Sequence, residues 1–460
     1  MTPSQPTGLE ADRSNLIVLF TSGTGGDINP FMRMQAGLHQ RGYRTVLLVP
    51  TFHEKLVHDA GLPYRTVGSA EQFQAVLADP ALWDERKGFG VVWRGLLPSV
   101  RVLHDFVAAL PPEQPCVVLS HPFLAPLAAL ARSVRPNLHI VGAYLAPANL
   151  RSVYDPLAVG SLTVPKWVPL SWRRALWRFV DWGWIDPDLL PGLNAARSAV
   201  NLPPVAKHFL LHMQEVCNAS VGLFPDWYAP RPSDWPAPYW AGDFPLLPVP
   251  AERTLSDGLE RFLAAGDAPI VFTPGTGHQH ARQFFETALA ACRKLGRRGL
   301  FISSHAEQIP KDLPPDIVWQ SFARFDVLLP RVAAIVHHGG IGTTAEALRA
   351  GVPQLVMPFA FDQFDNGLRV AGLGVGQVLL ASRLSTRRLC NALTAILDGA
   401  VQSKARATAL QFGLGDQSDM GLLMESVVAA LGVQPNPQPM SHPITTNSLA
   451  TTAQLPSVPA

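Results

Sequence analysis

Apolar residues in this chain fall in short unbroken runs, each closed by glycine or a polar turn and followed by a stretch of helical period. Leu16-Ile-Val-Leu-Phe20 leads into a Gly-rich turn, a helix over residues 31–40, then Gly42 and a second run, Thr45-Val-Leu-Leu-Val49. Strand, turn, helix and strand within about 35 residues make a βαβ unit, and runs without polar alternation imply a parallel sheet covered on both faces. Runs at 116–119 and 138–144 continue the series. The pattern restarts in the second half, where strands are predicted at 269–273, 299–303, 317–319, 333–337 and 354–357, with a helix over 282–295. Between the halves, residues 225–250 hold eight prolines in 26 positions, too many for regular structure.

The expected architecture is α/β: two facing, Rossmann-like, doubly wound domains with a cleft between them. Boundaries are predicted at 1–14 (flexible N-terminus), 15–245 (first domain), 246–252 (linker), 253–410 (second domain), 411–432 (helical segment) and 433–460 (tail). The tail has six prolines and no Asp, Glu, Lys or Arg, a composition that does not build a core. Sheets of this kind take ligands at the carboxyl ends of their strands, so the cleft is the expected site.

Composition narrows the function. Charged residues are only 16% of the chain, and 37 Lys and Arg against 35 Asp and Glu leave +2 with no basic block, which argues against nucleic acid as a partner. Cys116, Cys217, Cys292 and Cys390 lie far apart with no CxxC pair, the usage of reduced thiols in the cytoplasm. No apolar run is long enough to span a bilayer, and the polar N-terminus reads as neither leader nor anchor.

Three motifs carry chemistry. His337-His-Gly-Gly-Ile-Gly-Thr-Thr-Ala-Glu346 joins a predicted strand to a helix. Backbone N–H groups at such a turn, with the helix N-terminus behind them, suit a diphosphate. Gly340-Ile-Gly342-Thr-Thr-Ala345 also satisfies the dinucleotide fingerprint, which keeps a nicotinamide or flavin oxidoreductase as the rival class. Thr21-Ser-Gly-Thr-Gly-Gly-Asp-Ile-Asn-Pro30 places Asp27 at a strand's end, either as a helix cap or as a general base aimed into the cleft. Phe359-Ala-Phe-Asp-Gln-Phe-Asp-Asn366 offers Asp362 and Gln363 to sugar hydroxyls. Asp186-Pro-Asp188 spells a metal-binding D-x-D but reads as a turn, and no His and carboxylate cluster has metal spacing.

In that order these motifs resemble family 1 inverting glycosyltransferases of the GT-B fold, over nearly the whole chain from Asn15 to about Leu431. Within the family, Asp79-Pro-Ala-Leu-Trp-Asp84, Gly88-Phe-Gly-Val-Val-Trp93, Leu223-Phe-Pro-Asp-Trp-Tyr-Ala-Pro230 and Val271-Phe-Thr-Pro-Gly275 are similar to the rhamnosyltransferases of rhamnolipid biosynthesis. The resemblance implies transfer of L-rhamnose from dTDP-L-rhamnose to a 3-(3-hydroxyalkanoyloxy)alkanoate, giving mono-rhamnolipid, with no cofactor and no metal. It implies Asp27 as the catalytic base, where many relatives carry His. Donor and diphosphate contacts would fall on Gly275, Thr276, Phe322, Ala323, His337, His338, Gly339, Gly340, Ile341, Gly342 and Thr343, with His338 favoured over His337. Sugar contacts would fall on Asp362 and Gln363. His121 stands where the base's partner would be, and is either that partner or a strand-end histidine without a role.

Eight of the 11 tryptophans lie between Trp167 and Trp240. They read as core packing, or as a wall for acyl chains, or as a patch touching a membrane surface. Phe89, Trp93, His121, Trp167 and Trp172 are the candidate acceptor contacts. A sterol or macrolide acceptor, and a non-catalytic subunit that only binds a nucleotide sugar, stand as alternatives. Location is expected to be cytoplasmic, with peripheral attachment at the inner membrane as a variant of it.

Overall fold

The computed structural model describes residues 15–155, 157–246, 255–412 and 419–435. The first sheet opens with β1 (Leu16–Phe20), β2 (Arg44–Pro50), β3 (Tyr64–Val67), β4 (Cys116–Ser120) and β5 (His139–Tyr144). β6 (Leu157–Val159) and β7 (Leu162–Val164) form a separate antiparallel hairpin, and β8 (Ala219–Gly222) and β9 (Tyr239–Ala241) rejoin the sheet. Its order is β3-β2-β1-β4-β5-β8-β9, parallel throughout. The second sheet holds β10 (Ile270–Thr273), β11 (Gly299–Ile302), β12 (Ile317–Gln320), β13 (Ala334–His337), β14 (Gln354–Val356) and β15 (Gly376–Val378), again all parallel, in the order β12-β11-β10-β13-β14-β15.

Every residue of β1, β2, β4, β10, β11 and β13 is buried, which is why their sequences do not alternate. Ile17 and Leu19 face the helix Gly25–Gln40, while Leu16, Val18 and Phe20 face the opposite layer with Trp93 and Leu130. In each sheet the winding runs outward from the first strand and then reverses beside it. The crevices therefore open between β1 and β4 and between β10 and β13.

The helix Met420–Ala429 does not stand apart as a segment of its own. It crosses back to the first domain, where Met424, Val427 and Val428 are fully buried in the core beneath the helix Gly25–Gln40. Each such side chain contributes roughly 1.5–3 kcal/mol of burial. Arg41 fastens the crossing through Asp419 at 2.5 Å and Glu425 at 3.3 Å.

Several expectations change. The Pro-rich stretch holds a strand, β9, because Tyr239, Trp240 and Ala241 find ladder partners on β8 between the prolines. The expected tail starts too early: Val433 is buried in the first core, and the Gln434 carbonyl accepts a hydrogen bond from Asn15 at 2.9 Å. Asp186-Pro-Asp188 is the first turn of the helix Asp186–Ser198, not a loop, and Asp186 accepts the Phe209 N–H at 2.9 Å. The expected N-terminal segment, the linker apart from Leu246, and the tail beyond 435 lie outside the described residues.

The crossing predicts a stability effect opposite to helix propensity. A Cβ on Gly37 would lie 2.7 Å from the Gly421 Cα. Gly37→Val should therefore destabilise the protein by about 1–3 kcal/mol, the usual cost of overpacking, although most residues favour a helix more than glycine does. Urea unfolding of the two proteins measures it. An unchanged midpoint would show that the two helices part without cost.

Candidate active site

Both crevices carry the motif residues. The turn after β1 delivers Asp27 to the third position of the helix Gly25–Gln40, where it forms a capping box with Thr24. Asp27 Oδ2 accepts the Thr24 N–H at 2.8 Å. The cap reading and the site reading are thus compatible, since Oδ1 remains free of the cap. Gly23 makes this possible: its φ is +126°, and a Cβ there would lie 2.2 Å from Asp27 Oδ2. Burial pushes the Asp27 carboxyl up to about 6, against the smaller lowering effect of the Thr24 donors.

His121, directly after β4, faces the same carboxylate. Its Nδ1 accepts the Phe123 N–H at 3.3 Å, which leaves the proton on Nε2, and Nε2 lies 4.0 Å from Asp27 Oδ1. Burial pushes His121 down to about 4, so the ring is neutral at physiological pH. The structure places His121 beside Asp27.

In the second domain, the turns after β10 and β13 meet. The His338 ring lies between Gly275 and Gly340, where added Cβ atoms would come within 2.6 and 2.4 Å of it. Burial, then the neighbouring His337 and His278, pushes His338 down to about 3, and its buried Nδ1 has no protein partner. The helix Ile341–Ala350 begins there, and its first-turn N–H groups have no intrahelical acceptor. A Cβ on Gly342 would meet nothing within 4 Å, so the space beside this turn is open. Thr343 is half-buried beside it.

His337 leaves the donor set. It is fully buried, with Nε2 on Gln354 Oε1 at 2.9 Å and Nδ1 accepting the Gly339 N–H at 3.1 Å. Both ring nitrogens are used inside the domain.

The third motif follows β14. Asp362 precedes the helix Gln363–Gly372, and its Oδ2 accepts from Asn366 Nδ2 at 2.8 Å. Burial, and secondly the charge of Asp27, pushes Asp362 up to about 7. Gln363 is buried, and its Oε1 accepts the Phe359 and Ala360 N–H groups, which leaves only its amide NH2 for a sugar. Asn366 and Tyr228 had drawn no role from sequence. Asn366 Nδ2 also reaches the Gly339 carbonyl at 2.9 Å, and Tyr228 Oη donates to Asn366 Oδ1 at 3.0 Å, so one amide ties both donor turns to the first domain. Asn366 in the motif Asp362-Gln-Phe-Asp-Asn366 was the available signal.

Aromatic rings close the cleft. Trp83 meets His278 and Phe361 edge-on at 5.1 and 6.2 Å, and Phe89 meets Phe361 at 5.3 Å. Phe361 holds a left-handed backbone, φ +59°, a strained state for a bulky residue.

Among the acceptor candidates, Phe89 is at the cleft. Trp93 is not: it is 0% exposed in the first core, against Phe123 and Phe209. Trp167 and Trp172 are 82% and 72% exposed, so they form no enclosed wall. Gly275 and Thr276 border the His338 turn, and Phe322 and Ala323 follow β12 at the same end of the sheet, Phe322 exposed and Ala323 buried. Among the described residues, no group of three His, Cys, Asp or Glu side chains could hold a metal ion.

Residues 300–412 match the family described as erythromycin biosynthesis protein CIII-like, C-terminal domain. The chain is 30% identical to O-mycaminosyltylonolide 6-deoxyallosyltransferase of Streptomyces fradiae, over 85% of its own length and 92% of the relative's. Its fold is that of the kitacinnamycin glycosyltransferase (TM-score 0.66, 18% identity, 92% of this chain and 100% of that one). The glycosyltransferase VinC, solved in complex with dTDP, superposes with a TM-score of 0.60 at 19% identity, covering 91% and 99%. Identity at that level over nearly the full length of the Streptomyces fradiae enzyme places this chain in the same family, the GT-B glycosyltransferases of family 1.

Proposed function

We propose that this glycosyltransferase moves a 6-deoxyhexose from a thymidine diphosphate donor to a hydroxyl of a lipophilic acceptor, with inversion at the anomeric carbon. The observation that carries the reading is Asp27 at the switch point of the first sheet with His121 4.0 Å from it, and in the second domain the His338 turn after β13 with Asp362 after β14. The Asp27 Oδ1 takes the acceptor hydroxyl proton as that oxygen attacks the anomeric carbon, and the bond to the diphosphate breaks on the far side. Charge growing on the diphosphate meets the first-turn N–H groups at 341–343 and the neutral His338 ring. Asp362 and the Gln363 amide hold the sugar hydroxyls. Support for the donor comes from relatives: one is a 6-deoxyallosyltransferase, and another binds dTDP.

A narrower reading has its own support. The stretches that resemble rhamnosyltransferases supply Trp83 and Phe89, the residues that meet Phe361 at the cleft. On this reading the sugar is L-rhamnose and the acceptor a hydroxyalkanoyloxyalkanoate. The test is a panel of dTDP-rhamnose, other dTDP-6-deoxyhexoses and UDP-glucose against that acceptor, a sterol and a macrolide aglycone, with the product's anomeric configuration read by NMR. Retained configuration would sink the single-displacement mechanism. Transfer to the sterol or macrolide and none to the acyl acceptor would sink only the rhamnolipid reading.

Asp27→Asn should cut turnover by about 10² to 10⁴. Asn still accepts the Thr24 N–H, so the helix cap and dTDP affinity should persist. In the wild type, turnover should fall as pH drops through about 6, where Asp27 takes up its proton. Full activity in the Asn variant would return Asp27 to capping alone.

The two adjacent histidines should separate. His338→Ala should lower turnover by about 10² to 10³ while the protein stays folded, the range for one lost oxyanion donor. His337→Ala should instead lower stability by about 1–3 kcal/mol, because Gln354 Oε1 loses its buried partner. Turnover and thermal melting of both variants decide the assignment.

A further inference from the structure

We propose that the outer face of the helix Leu170–Val180, with the turns on either side of it, docks on an anionic lipid bilayer. Among the described residues, all three exposed tryptophans lie here: Trp167, Trp172 and Trp182, with exposures of 82%, 72% and 71%. Phe179, 65% exposed, extends the patch, its ring 6.5 Å from that of Trp182. Trp172, Ala175, Phe179 and Trp182 follow a spacing of three and four residues, one helical face. The opposite face is the one that packs inward, with Arg173 and Val180 buried and Leu176 and Trp177 against the first core. Both faces are thus apolar, and only one has a partner within the described residues.

The patch is rigid. Arg173 donates to the carbonyls of Val153, Pro165 and Val168, at 2.9, 3.3 and 2.9 Å, and also to that of Lys166. That holds the turn bearing Trp167 against the helix. Trp177 and Trp184 donate their indole N–H groups to the Ser152 and Arg86 carbonyls at 3.2 and 2.6 Å. The indoles of Trp167, Trp172 and Trp182 have no such partner among the described residues, and an indole with an apolar ring and a free N–H suits the headgroup boundary.

Charge selects the occupant. Lys166, Arg174 and Arg178 are exposed around the aromatic face. The one carboxylate between Ser161 and Trp184 is Asp181, which is buried and paired with Arg151 at 2.5 Å. An apolar, aromatic face rimmed by unneutralised cations complements anionic headgroups over an acyl interior. A second copy of this face would bring like charges together. No helix among the described residues is long and apolar enough to cross a membrane, so attachment would be peripheral. The patch also borders the cleft: Ser161 bonds Glu85 at 3.4 Å, and Trp184 bonds Arg86, on the stretch that carries Trp83 and Phe89.

The test is flotation of the full chain with vesicles of phosphatidylcholine alone and of phosphatidylcholine with about one-third phosphatidylglycerol, at low and high salt. Binding is expected to the anionic vesicles, weakening as salt rises. Phe179→Ser with Trp182→Ser, and separately Arg174→Glu with Arg178→Glu, should each weaken it at least about tenfold with an unchanged melting midpoint, since all four side chains are exposed. No vesicle binding by the wild type overturns the proposal, as does equal binding by the variants. So does a dimer in sedimentation equilibrium that the aromatic variant abolishes while vesicles are ignored, which would make the face an interface between copies. None of these readouts depends on the sugar donor or acceptor.

Discussion

The geometry of the cleft hangs on Arg369. Its guanidinium bonds Asp365 one turn earlier on its own helix, Asp155 from the first domain, and the Tyr228 carbonyl at 3.4 Å. The helix it locks begins beside Asp362, so an ion cluster joins that end of the second domain to the first. Burial raises Asp365 while the Arg369 charge opposes it, and the two carboxylates raise Arg369. Hydrophobic isosteres can match buried clusters of this kind for stability. What a cluster adds here is register: a guanidinium with two carboxylates and a carbonyl accepts few relative placements of the two domains. The helix Met420–Ala429 acts in the same sense, since it carries the chain's far end back into the first core.

Within that frame, the site is built for an anion that arrives with the substrate. Three imidazoles near the cleft (His121, His278 and His338) are all pushed to about 3 or 4 by burial, so none brings a positive charge of its own. The nearby carboxylates are held high for the same reason. At the proposed donor turn a diphosphate would meet N–H dipoles rather than a counter-ion, and dipoles fixed by the fold need no reorganisation when charge develops. The same diphosphate would favour protonation of His338, because a negative charge beside an imidazole stabilises its charged form.

Sequence made the architecture legible because both sheets are parallel and doubly covered. Their strands announce themselves as unbroken apolar runs such as 16–20 and 270–273. Three of the four edge strands were not visible for the converse reason, while the fourth, β12, is legible as the run 317–319. β3 is half-buried, β15 is partly exposed, and β9 is three residues among prolines. Motif spacing located the site turns, but it could not tell which histidine of an adjacent pair points outward. Strand alternation decides that: His337 ends β13 and turns inward to Gln354, while His338 is the first residue past the ladder. Nor could composition sort the tryptophans, since Trp93 and Trp172 differ in burial and not in chemistry.

The proposed role of Asp27 as base rests on the same burial that neutralises the histidines. A carboxylate in the first turn of a helix is normally held acidic, by the helix dipole and by the cap's donors. Here burial outweighs both and sets Asp27 at about 6. An imidazole in comparable surroundings moves the other way, as His121 shows at about 4. A base is most effective when its conjugate acid titrates near the working pH. Burial therefore favours the carboxylate over the ring as the proton acceptor of the two. The neutral ring is better used with its Nε2–H turned toward that carboxylate. With Asp27 proposed as the base and His121 beside it, the roles of the pair are those their burial favours.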